Sequence, residues 1–459
     1  MARIAMIVGN PCNPDNRVIK EAEALAANGH IVRIFCTAKE GLPERTTRNS
    51  VGYTRLGKPA PARVAPPFKA AAVPEPTGAV KELPTLSHRI HQRSLTELRR
   101  LRRVARFALS LGKLALHRST SLTLRPLQLL NKFAKFRDLF APAVAAWQPD
   151  IVHAHDLYCL PAGALAAKRA RARLVYDSHE LETHRNPPMP RMVRFAAAVV
   201  EQRLIRRADA VITVSHSIAD HLRDEYSIKR PHVIFNAPVI GEPSQAPRDI
   251  RADAGVPAGM KLGVYVGLVT MNRGVETLVD ALTQLPDVMI AAVGPVNPKL
   301  IGSIRARAKQ AGVADRFKLL PAVPPEEVVA YVAGADFGLN PLIPITLSYQ
   351  YAMPNKLFEM ALAGLPIVNS DAADSARFVR ENGLGVIFQH SNPVSCAAAI
   401  EGVCANLDMF KPTSERLAEL RDQFGWSRQA QALNALYDRM RIPAPSSADV
   451  RSAVALAAR

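Results

Sequence analysis

Residues 348–371, SYQYAMPNKLFEMALAGLPIVNSD, combine a helical pattern with a buried strand. A Pro–Asn pair, typical of a helix start, predicts a helix over residues 355–363. An apolar strand is expected to follow over residues 365–370. One carboxylate, Glu359, lies inside this apolar stretch, and an unpaired charge in a core is costly. Glu359 is therefore a candidate site residue.

Short apolar strands alternate with helical segments along the whole chain, in two series. In the first series, strands are expected over residues 3–8, 31–36, 150–156, 173–177 and 209–215. In the second, they are expected over residues 261–267, 287–294, 316–323, 335–342, 365–370 and 383–388. This alternation is typical of parallel, doubly wound sheets. Because 459 residues exceed what one core usually supports, we predict an α/β protein of two such domains.

A polar, proline-bearing segment at residues 240–259 separates the two series and marks the domain boundary. The first domain is expected to span residues 1–240, and the second residues 241–411. Residues 59–84, which are rich in Pro and Ala, are predicted to form a mobile surface loop. Ligands of doubly wound sheets bind at the carboxyl ends of the strands, so the cleft between the domains is the expected site.

The formal net charge of +19 is concentrated in residues 88–137. Apolar residues recur there at helical spacing between Arg and Lys. A basic amphipathic insertion of this kind, at about residues 85–140, favours binding to an anionic membrane surface. The alternative is a helix packed on its own domain with a solvated basic face. Nucleic acid is not expected as a partner, because no stacking aromatic residues are interleaved with these basic residues and no zinc-finger or RNA-binding motif is visible.

Neither a transmembrane stretch nor a signal peptide is expected in this sequence. No run of about 18 apolar residues exists, and the N-terminal MARIAMIVGN is too short in apolar residues for a signal peptide. The five cysteines are scattered without a CxxC pair, which fits a reducing compartment. We therefore expect a cytoplasmic protein, with the inner face of the cytoplasmic membrane as the surface that the basic insertion would contact.

Two strands of the second series end in glycine, at Gly267 and Gly294. After the first of them, Arg273 and Gly274 open a helix. A glycine lets the backbone approach a ligand, a helix N-terminus favours an anion, and an arginine can donate two hydrogen bonds to a phosphate. Ordinary turn chemistry explains such glycines equally well.

Lys356 and Glu359 are three residues apart and therefore share a face of the predicted helix. The helix N-terminus, Lys356 and Arg273 could face one diphosphate, while Glu359 accepts hydrogen bonds from a ribose. The alternative is a local surface Lys–Glu pair, which contributes little to stability. The apolar surroundings favour the site.

The segment HAHD, residues 153–156, places two histidines on one side of a strand. A metal is geometrically conceivable there, but no third ligand is evident, so no metal is predicted. His153 is expected to be a buried core histidine, and His155, at the strand end, a site residue. At the end of the next strand, His179 and Glu180 are expected to face the same cleft.

Several segments resemble the family-four retaining glycosyltransferases, in which two Rossmann-like domains face each other across a cleft (GT-B). PNKLFEMALAGLPIV is similar to the donor-site helix of the family, and YVG…NRGVETLVDAL is similar to its phosphate loop. PDIVHAHD and LVYDSHEL resemble the strands that carry site residues in the first domain of the family. RADAVITVSHSIADHL, followed by VIFNAP, is similar to the end of that first domain. FGWSRQAQALNALYDRM resembles the C-terminal helix that crosses back to the first domain, here within residues 412–459. The resemblance covers the chain apart from about residues 57–140.

The resemblance implies a role for each matching residue. Glu359 would hold the nucleotide ribose, Arg273 would neutralise the diphosphate with Lys356 close to it, and His155 would be the catalytic residue beside the reacting sugar. The other donor-binding candidates are Gly267, Gly274, Gly294, Tyr351 and Asn355. The acceptor-side candidates are Asn16, Arg17, Asp156, His179 and Glu180.

Two positions depart from the family pattern. The first Glu of its Glu–seven residues–Glu motif is replaced by Tyr351, and a second basic residue after the strand glycine is replaced by Leu268. The first replacement concerns the contacts to the hydroxyls of the donor sugar.

The resemblance implies transfer of a sugar from a nucleotide-sugar donor to a hydroxyl acceptor, with retention and without a metal or other cofactor. The basic insertion indicates a lipid-linked saccharide or glycolipid as acceptor, in bacterial envelope polysaccharide synthesis. One alternative is a sugar-nucleotide epimerase on the same architecture, although the sequence shows few carboxylates for its acid–base steps. The other is a catalytically inactive scaffold or binding protein, which Tyr351 and Leu268 favour.

Overall fold

The structure, a computed structural model, describes residues 1–58, 124–241 and 248–440. The predicted loop at 59–84 and the basic insertion up to residue 123 lie outside the described residues, as does the tail after residue 440.

The first domain contains an eight-stranded sheet. Its strands are β1 (Arg3–Ile7), β2 (Ile31–Thr37), β3 (Arg45–Arg48), β4 (Val51–Leu56), β5 (Ile151–His155), β6 (Arg173–Ser178), β7 (Ala210–Thr213) and β8 (His232–Val233). Their order is β3-β4-β2-β1-β5-β6-β7-β8. Only the edge strand β3 runs antiparallel to its neighbour in this described sheet.

Helices cover this sheet. They are α1 (Asn16–Ala27), α2 (124–146), α3 (Asp156–Ala170), α4 (Arg191–Ile205) and α5 (His216–Tyr226). In α1, Asp15 caps the N-terminus, and Val18, Ala22 and Leu25 form the buried apolar stripe. Its polar face carries Lys20, which donates at 3.0 Å to Asn236, in the segment that follows β8 of the same domain.

The second domain contains a six-stranded, wholly parallel sheet. Its strands are β9 (Lys261–Val266), β10 (Val288–Val293), β11 (Phe317–Leu320), β12 (Phe337–Asn340), β13 (Ile367–Ser370) and β14 (Gly385–Phe388). Their order is β11-β10-β9-β12-β13-β14. The strand order reverses direction at β9, between β10 and β12, and such a switch point is where open α/β sheets form a binding crevice.

The remaining helices belong to the second half of the chain. They are α6 (Ile250–Ala254), α7 (Val275–Ala281), α8 (Pro298–Gln310), α9 (Val328–Val332), α10 (Leu347–Gln350), α11 (Asn355–Leu362), α12 (Ala373–Glu381), α13 (Pro393–Ala405), α14 (Leu407–Phe410), α15 (Ser414–Phe424) and α16 (Trp426–Arg439). In α11, Leu357, Phe358 and Met360 are fully buried. The stretch at 348–371 thus forms a helix and then strand β13, as predicted.

The predicted fold class, two parallel doubly wound sheets, is confirmed. Each predicted strand is present, with ends that differ by a few residues. The prediction from sequence missed β3, β4 and β8. The edge strand β3 has the sequence RTTR and is mostly exposed, so it lacks the apolar pattern on which the prediction depends.

The C-terminal helix α16 packs on the first domain although it follows the second. Leu433, Leu436 and Tyr437 are buried in one cluster with Ile4 and Met6 of β1. The two sheets are therefore joined at two places, the connection after β8 and this returning helix. In the described parts of the chain, no helix combines the length and the apolar character needed to span a bilayer.

Candidate active site

A cavity of about 430 Å³ opens at the carboxyl ends of β9 and β10. The loops after these strands contribute Gly267, Leu268, Arg273 and Gly294. Helix α11 contributes Asn355, Lys356 and Glu359, and Asn16 lines the cavity from the first domain. We call this space the donor cavity. It brings residues that lie far apart in the sequence to one crevice at the switch point of the second sheet.

Glycine is required at two positions around the donor cavity. Gly274 has φ +76° and directly precedes α7, and a Cβ there would overlap the carbonyl group of Pro341. Gly294 has φ +140°, and its added Cβ would lie 2.5 Å from the carbonyl oxygen of Gly267. A residue with a Cβ atom therefore does not fit at either position. Gly274 does not line the cavity but shapes the loop that carries Arg273.

Lys356 is a buried cation without a bonded anion. Its side chain is 6% exposed, and Nζ lies 3.9 Å from the centroid of the Tyr265 ring. Among the described residues, Nζ has no hydrogen-bond partner. Burial and the nearby Arg273 lower the pKa of Lys356 well below its usual range, against the pull of Glu359. The site therefore holds Lys356 at an energetic cost.

Two further positive groups face the same cavity. Nε of Arg273 is buried and has no hydrogen-bond partner among the described residues. The N-terminus of α11 lines the cavity with Asn355 and Lys356 and has no side-chain cap, so the positive end of the helix dipole lies at the cavity. Three positive groups around one space form a site for an anion.

Glu359 supplies a carboxylate to the lining of the donor cavity. Burial raises its pKa to about 7, while Lys20 and Lys356 act in the opposite direction. The alternative of a surface Lys–Glu pair does not fit, because Lys356 is buried and its Nζ bonds no described residue. Glu359 can therefore accept hydrogen bonds from a ligand hydroxyl.

A second cavity, of about 460 Å³, lies between the domains and adjoins the first. We call it the cleft cavity. The first domain lines it with Asn16, Arg17, His179 and Glu180, and the second with Arg273, Ser348, Tyr349 and Asn355. Arg273, Asn16 and Asn355 line both cavities. A group bound to Arg273 therefore lies at the junction between them.

Behind the cleft cavity, Asp177 organises a buried polar cluster. Arg17 donates to both of its oxygens, from Nε at 2.9 Å and from Nη2 at 3.0 Å. Nε2 of His179 lies 3.2 Å from Oδ2 of the same carboxylate. Burial opposes ionisation of Asp177, but Arg17 and His179 hold its pKa well below the usual range. Asp177 is thus a buried anion that fixes one cation and one imidazole.

His179 and His155 differ in charge. Burial disfavours the charged form of His179, but Asp156 and Asp177 outweigh it and raise its pKa to about 9. Burial and the neighbouring His153 lower the pKa of His155 well below its usual range. The two rings are joined by a 3.1 Å contact between Nδ1 of His155 and Nε2 of His179. At neutral pH the cleft therefore presents an imidazolium, backed by a neutral imidazole.

The predicted site residues are only partly brought together. Those that line the cavities are Asn16, Arg17, His179, Glu180, Gly267, Arg273, Gly294, Asn355, Lys356 and Glu359. Those that do not are His155, Asp156, Gly274 and Tyr351. His155 is fully buried behind His179, and Asp156 contacts His179 from the side, with 3.4 Å between Oδ2 and Nδ1.

Tyr351 lies away from both cavities. It packs against the buried cluster of the first domain, with its ring centroid 6.5 Å from that of His221. The side chain that lines the cleft cavity is that of Tyr349, two residues earlier in α10. The prediction from sequence missed Tyr349, Lys20 and Asn236, because no local pattern distinguishes them from surface residues.

The structure supplies metal-ligand geometry that the sequence reading did not find. Ligand atoms of Glu21, His153, His155 and Asp177 all lie within 4.8 Å of one another. However, Oδ2 of Asp177 already accepts from Arg17 at 2.9 Å and contacts His179 at 3.2 Å. Nε of Arg17 also lies 3.0 Å from Oε1 of Glu21. The guanidinium thus balances both carboxylates, and the absence of a metal requirement stays a prediction.

Two parallel-sheet α/β domains that face each other across a cleft define the GT-B class of glycosyltransferases. Residues 16–238 match the glycosyl transferase 4-like domain, and residues 261–406 match the glycosyl transferases group 1 family. The chain therefore belongs to the group 1, or family-four, glycosyltransferases, as the motifs indicated.

Relatives and solved structures agree with this assignment. The D-inositol 3-phosphate glycosyltransferase of Jonesia denitrificans is 25% identical over 329 residues, which cover 65% of this chain and 74% of that protein. Sucrose-phosphate synthase from Thermosynechococcus elongatus has a TM-score of 0.67 at 17% identity, covering 96% of this chain and 99% of its own. Anabaena HepE, solved with UDP and glucose, has a TM-score of 0.62 at 16% identity, covering 96% of this chain and 100% of its own. At these identities the structural likeness shows the fold alone.

Proposed function

We propose that the protein transfers a sugar from a nucleotide-sugar donor to a hydroxyl acceptor, with retention at the anomeric carbon. The observation that carries this proposal is a pair of cations, the buried Lys356 and the half-buried Arg273, which face the donor cavity and bond no anion among the described residues. A nucleoside diphosphate would supply the missing charge. HepE, a protein of the same fold, is solved with UDP and glucose, which supports this ligand class.

The difficult step of such a transfer is departure of the nucleoside diphosphate. Arg273, Lys356 and the N-terminus of α11 would stabilise the charge that develops on the leaving phosphate. Their effect is greater in a dry cavity than in water, because the local dielectric is low. Glu359 would hold the donor through its ribose hydroxyls.

The acceptor would enter the cleft cavity opposite Arg273. Glu180 and the His179 imidazolium line that side and can bind hydroxyl groups of a saccharide. In front-face attack, the leaving phosphate itself takes the proton of the acceptor hydroxyl. This route requires neither a strong protein base nor a metal. The absence of a metal requirement remains a prediction.

We further propose that the acceptor is a lipid-linked saccharide or glycolipid of bacterial envelope polysaccharide synthesis, reached at the inner face of the cytoplasmic membrane. The first domain supports this with exposed apolar side chains on α4, Met192 at 65% and Phe195 at 66%. The exposed Arg194 lies between them in the sequence, and the exposed Arg191 directly precedes Met192. Apolar side chains flanked by cations fit an anionic lipid surface.

Nucleoside diphosphate release tests the activity. The protein would be incubated with UDP-, GDP- and dTDP-sugars and a lipid extract as acceptor source. We expect release with one nucleotide class, and a loss of more than tenfold in Arg273→Ala and in Glu359→Ala. Arg305→Ala, on the exposed face of α8, is the matched control.

The two alternatives give different results in the same experiment. An epimerase would convert the donor into its epimer without requiring an acceptor. An inactive binding protein would bind a nucleotide-sugar and leave it unchanged. Release that is equal in the wild type and both variants would contradict the assignment of the donor cavity.

Vesicle flotation tests the membrane proposal. A Met192→Ser/Phe195→Ser double variant should float less than the wild type with phosphatidylglycerol-containing vesicles, because it removes exposed apolar contacts. Met409→Ser, which changes a side chain that is 68% exposed on the second domain, should float normally. Equal flotation of all three proteins would contradict a role for α4.

A further inference from the structure

Tyr349 stands at the junction where the proposed donor sugar must lie. Arg273 borders both cavities, so a sugar attached to a diphosphate at Arg273 projects from the donor cavity into the cleft cavity. The Tyr349 ring centroid lies 5.2 Å from the guanidinium carbon of Arg273, and the side chain lines the cleft cavity. Tyr349 is therefore adjacent to whatever Arg273 binds.

The Tyr349 hydroxyl is oriented from across the cleft. Nδ2 of Asn186, in the first domain, donates to this hydroxyl at 3.2 Å. Oδ1 of Asn186 in turn accepts from Nδ2 of Asn272 at 3.4 Å. A tyrosine hydroxyl that accepts one hydrogen bond keeps its own hydrogen for another partner. Among the described residues no acceptor takes that hydrogen.

The backbone under Tyr349 is also fixed. Thr346 caps the single turn of α10 by accepting from the backbone N–H of Tyr349 at 3.3 Å. The Arg273 guanidinium packs over the ring, an arrangement favoured by cation–π attraction. A side chain held at its backbone, ring and hydroxyl loses little entropy when it contacts a ligand.

We propose that Tyr349 determines which sugar the donor carries, by donating its phenolic hydrogen to one hydroxyl oxygen of the sugar beside the diphosphate, with Asn186 aligning it. This inference rests on the proposed function. Tyr351 does not perform this task, because it packs against the first-domain core. A sugar with the opposite configuration at the contacted carbon leaves the phenol unpaired, and sites of this kind reject such analogues strongly.

Equilibrium binding tests the inference without knowledge of the acceptor. Calorimetry with UDP, GDP and dTDP identifies the nucleotide that the wild type binds. The Kd is then measured for the glucose, galactose and mannose forms of that nucleotide-sugar. In Tyr349→Phe, which removes one oxygen atom, we expect the Kd ratio between best and worst sugar to fall by about tenfold. The Kd of the bare nucleoside diphosphate should change by less than about twofold.

Two further variants separate specificity from folding. Tyr351→Phe, the matched control, should keep the wild-type ratio. Asn186→Ala should lower the ratio as Tyr349→Phe does, and the double variant should add little, because the two groups act as a unit.

The outcomes are distinct. An unchanged ratio in a Tyr349→Phe protein that still binds the diphosphate overturns this inference alone. Equal weakening of the diphosphate and of all three sugars also overturns it, because Tyr349 would then only position Arg273. Failure of the wild type to bind any of the three nucleotides overturns the proposed function, and this inference with it.

Discussion

Lys356 is 6% exposed, its Nζ lies against the face of Tyr265, and the N-terminus of α11 adds further positive potential. Helix N-termini and apolar surroundings both disfavour a cation. A protein keeps such a group where a ligand offsets the cost, because perturbed ionisable groups concentrate at functional sites. The same residue is therefore expected to weaken the ligand-free protein and to strengthen ligand binding.

Lys356→Met should separate these two effects. Removing an unpaired buried charge is expected to raise the free energy of unfolding by about 1–2 kcal/mol. It should also weaken binding of the cognate nucleoside diphosphate by more than tenfold. Urea denaturation and calorimetry measure the two quantities. Lys309→Met, at an exposed site of α8, should change neither, and a destabilised Lys356→Met protein would contradict the buried-charge argument.

Glu359 makes stability depend on pH in a defined window. Burial raises its pKa from 4.5 to about 7, so between these values the folded state keeps a proton that the unfolded state has released. Its contribution to stability is therefore present below about pH 4.5 and is lost as the pH rises to about 7. At pH 8, Glu359→Gln should be more stable than the wild type by about 3 kcal/mol, with no difference at pH 4.5.

Denaturation curves at pH 4.5, 6 and 8 measure this difference. The exposed Glu401→Gln serves as the control, since its carboxyl group is in water in both states. A constant offset between Glu359→Gln and the wild type across the three pH values would show that the change acts through packing and not through ionisation.

At the scale of elements, α16 contacts β5, the strand that carries His153 and His155. The Tyr437 hydroxyl lies 2.8 Å from Nδ1 of His153, and the His153 ring stacks on that of His155 with centroids 4.1 Å apart. All three side chains are fully buried. The returning helix therefore holds the histidine pair from behind the cleft.

Tyr437→Phe should leave Nδ1 of His153 buried and unpaired. The expected loss is about 1–2 kcal/mol in the free energy of unfolding, measured by urea denaturation. Tyr331→Phe is the control, because the Tyr331 hydroxyl bonds Asp253 at 2.8 Å, where the carboxylate can bond water instead. A Tyr437→Phe protein as stable as the control variant would contradict the role of α16 in holding His153.

At the scale of the whole molecule, the cavities depend on how the two domains are held. Asp374 of α12 accepts from the backbone N–H of Ser217 at 3.2 Å and from its hydroxyl, close to the start of α5 in the first domain. Arg377 donates to the same carboxylate at 2.9 Å. Asp374 is 2% exposed, so these bonds are shielded from water and contribute more than a surface contact.

Asp374→Ala should shift the molecule toward a more open domain arrangement. Loss of two cross-domain hydrogen bonds is expected to lower the closed population relative to the open one by about tenfold. Small-angle X-ray scattering should then give a larger radius of gyration, which the cognate nucleoside diphosphate partly reverses. Asp422→Ala, at an exposed position of α15, is the control, and an unchanged radius would contradict this role of Asp374.

The fold was predictable because its units are local. Strands such as β1 and β9, and helices such as α1 and α11, each carry an apolar period that a short window of sequence reveals. The strands β3 and β8 were missed because they are short, polar or exposed. Arg273, Lys356 and Glu359 were predicted because a charge beside a strand end or inside an apolar helix is conspicuous in the sequence.

The sequence alone determined the two parallel sheets, the family, and the charged residues of the donor cavity, since each depends on residues close together in the chain. The tertiary structure decided what depends on distant residues. It buried His155 behind His179, joined Arg17 to Asp177, packed Tyr351 against the first domain and placed Tyr349 beside Arg273. The neighbours of a side chain across a cleft depend on how the two domains pack, and no local sequence pattern predicts that packing.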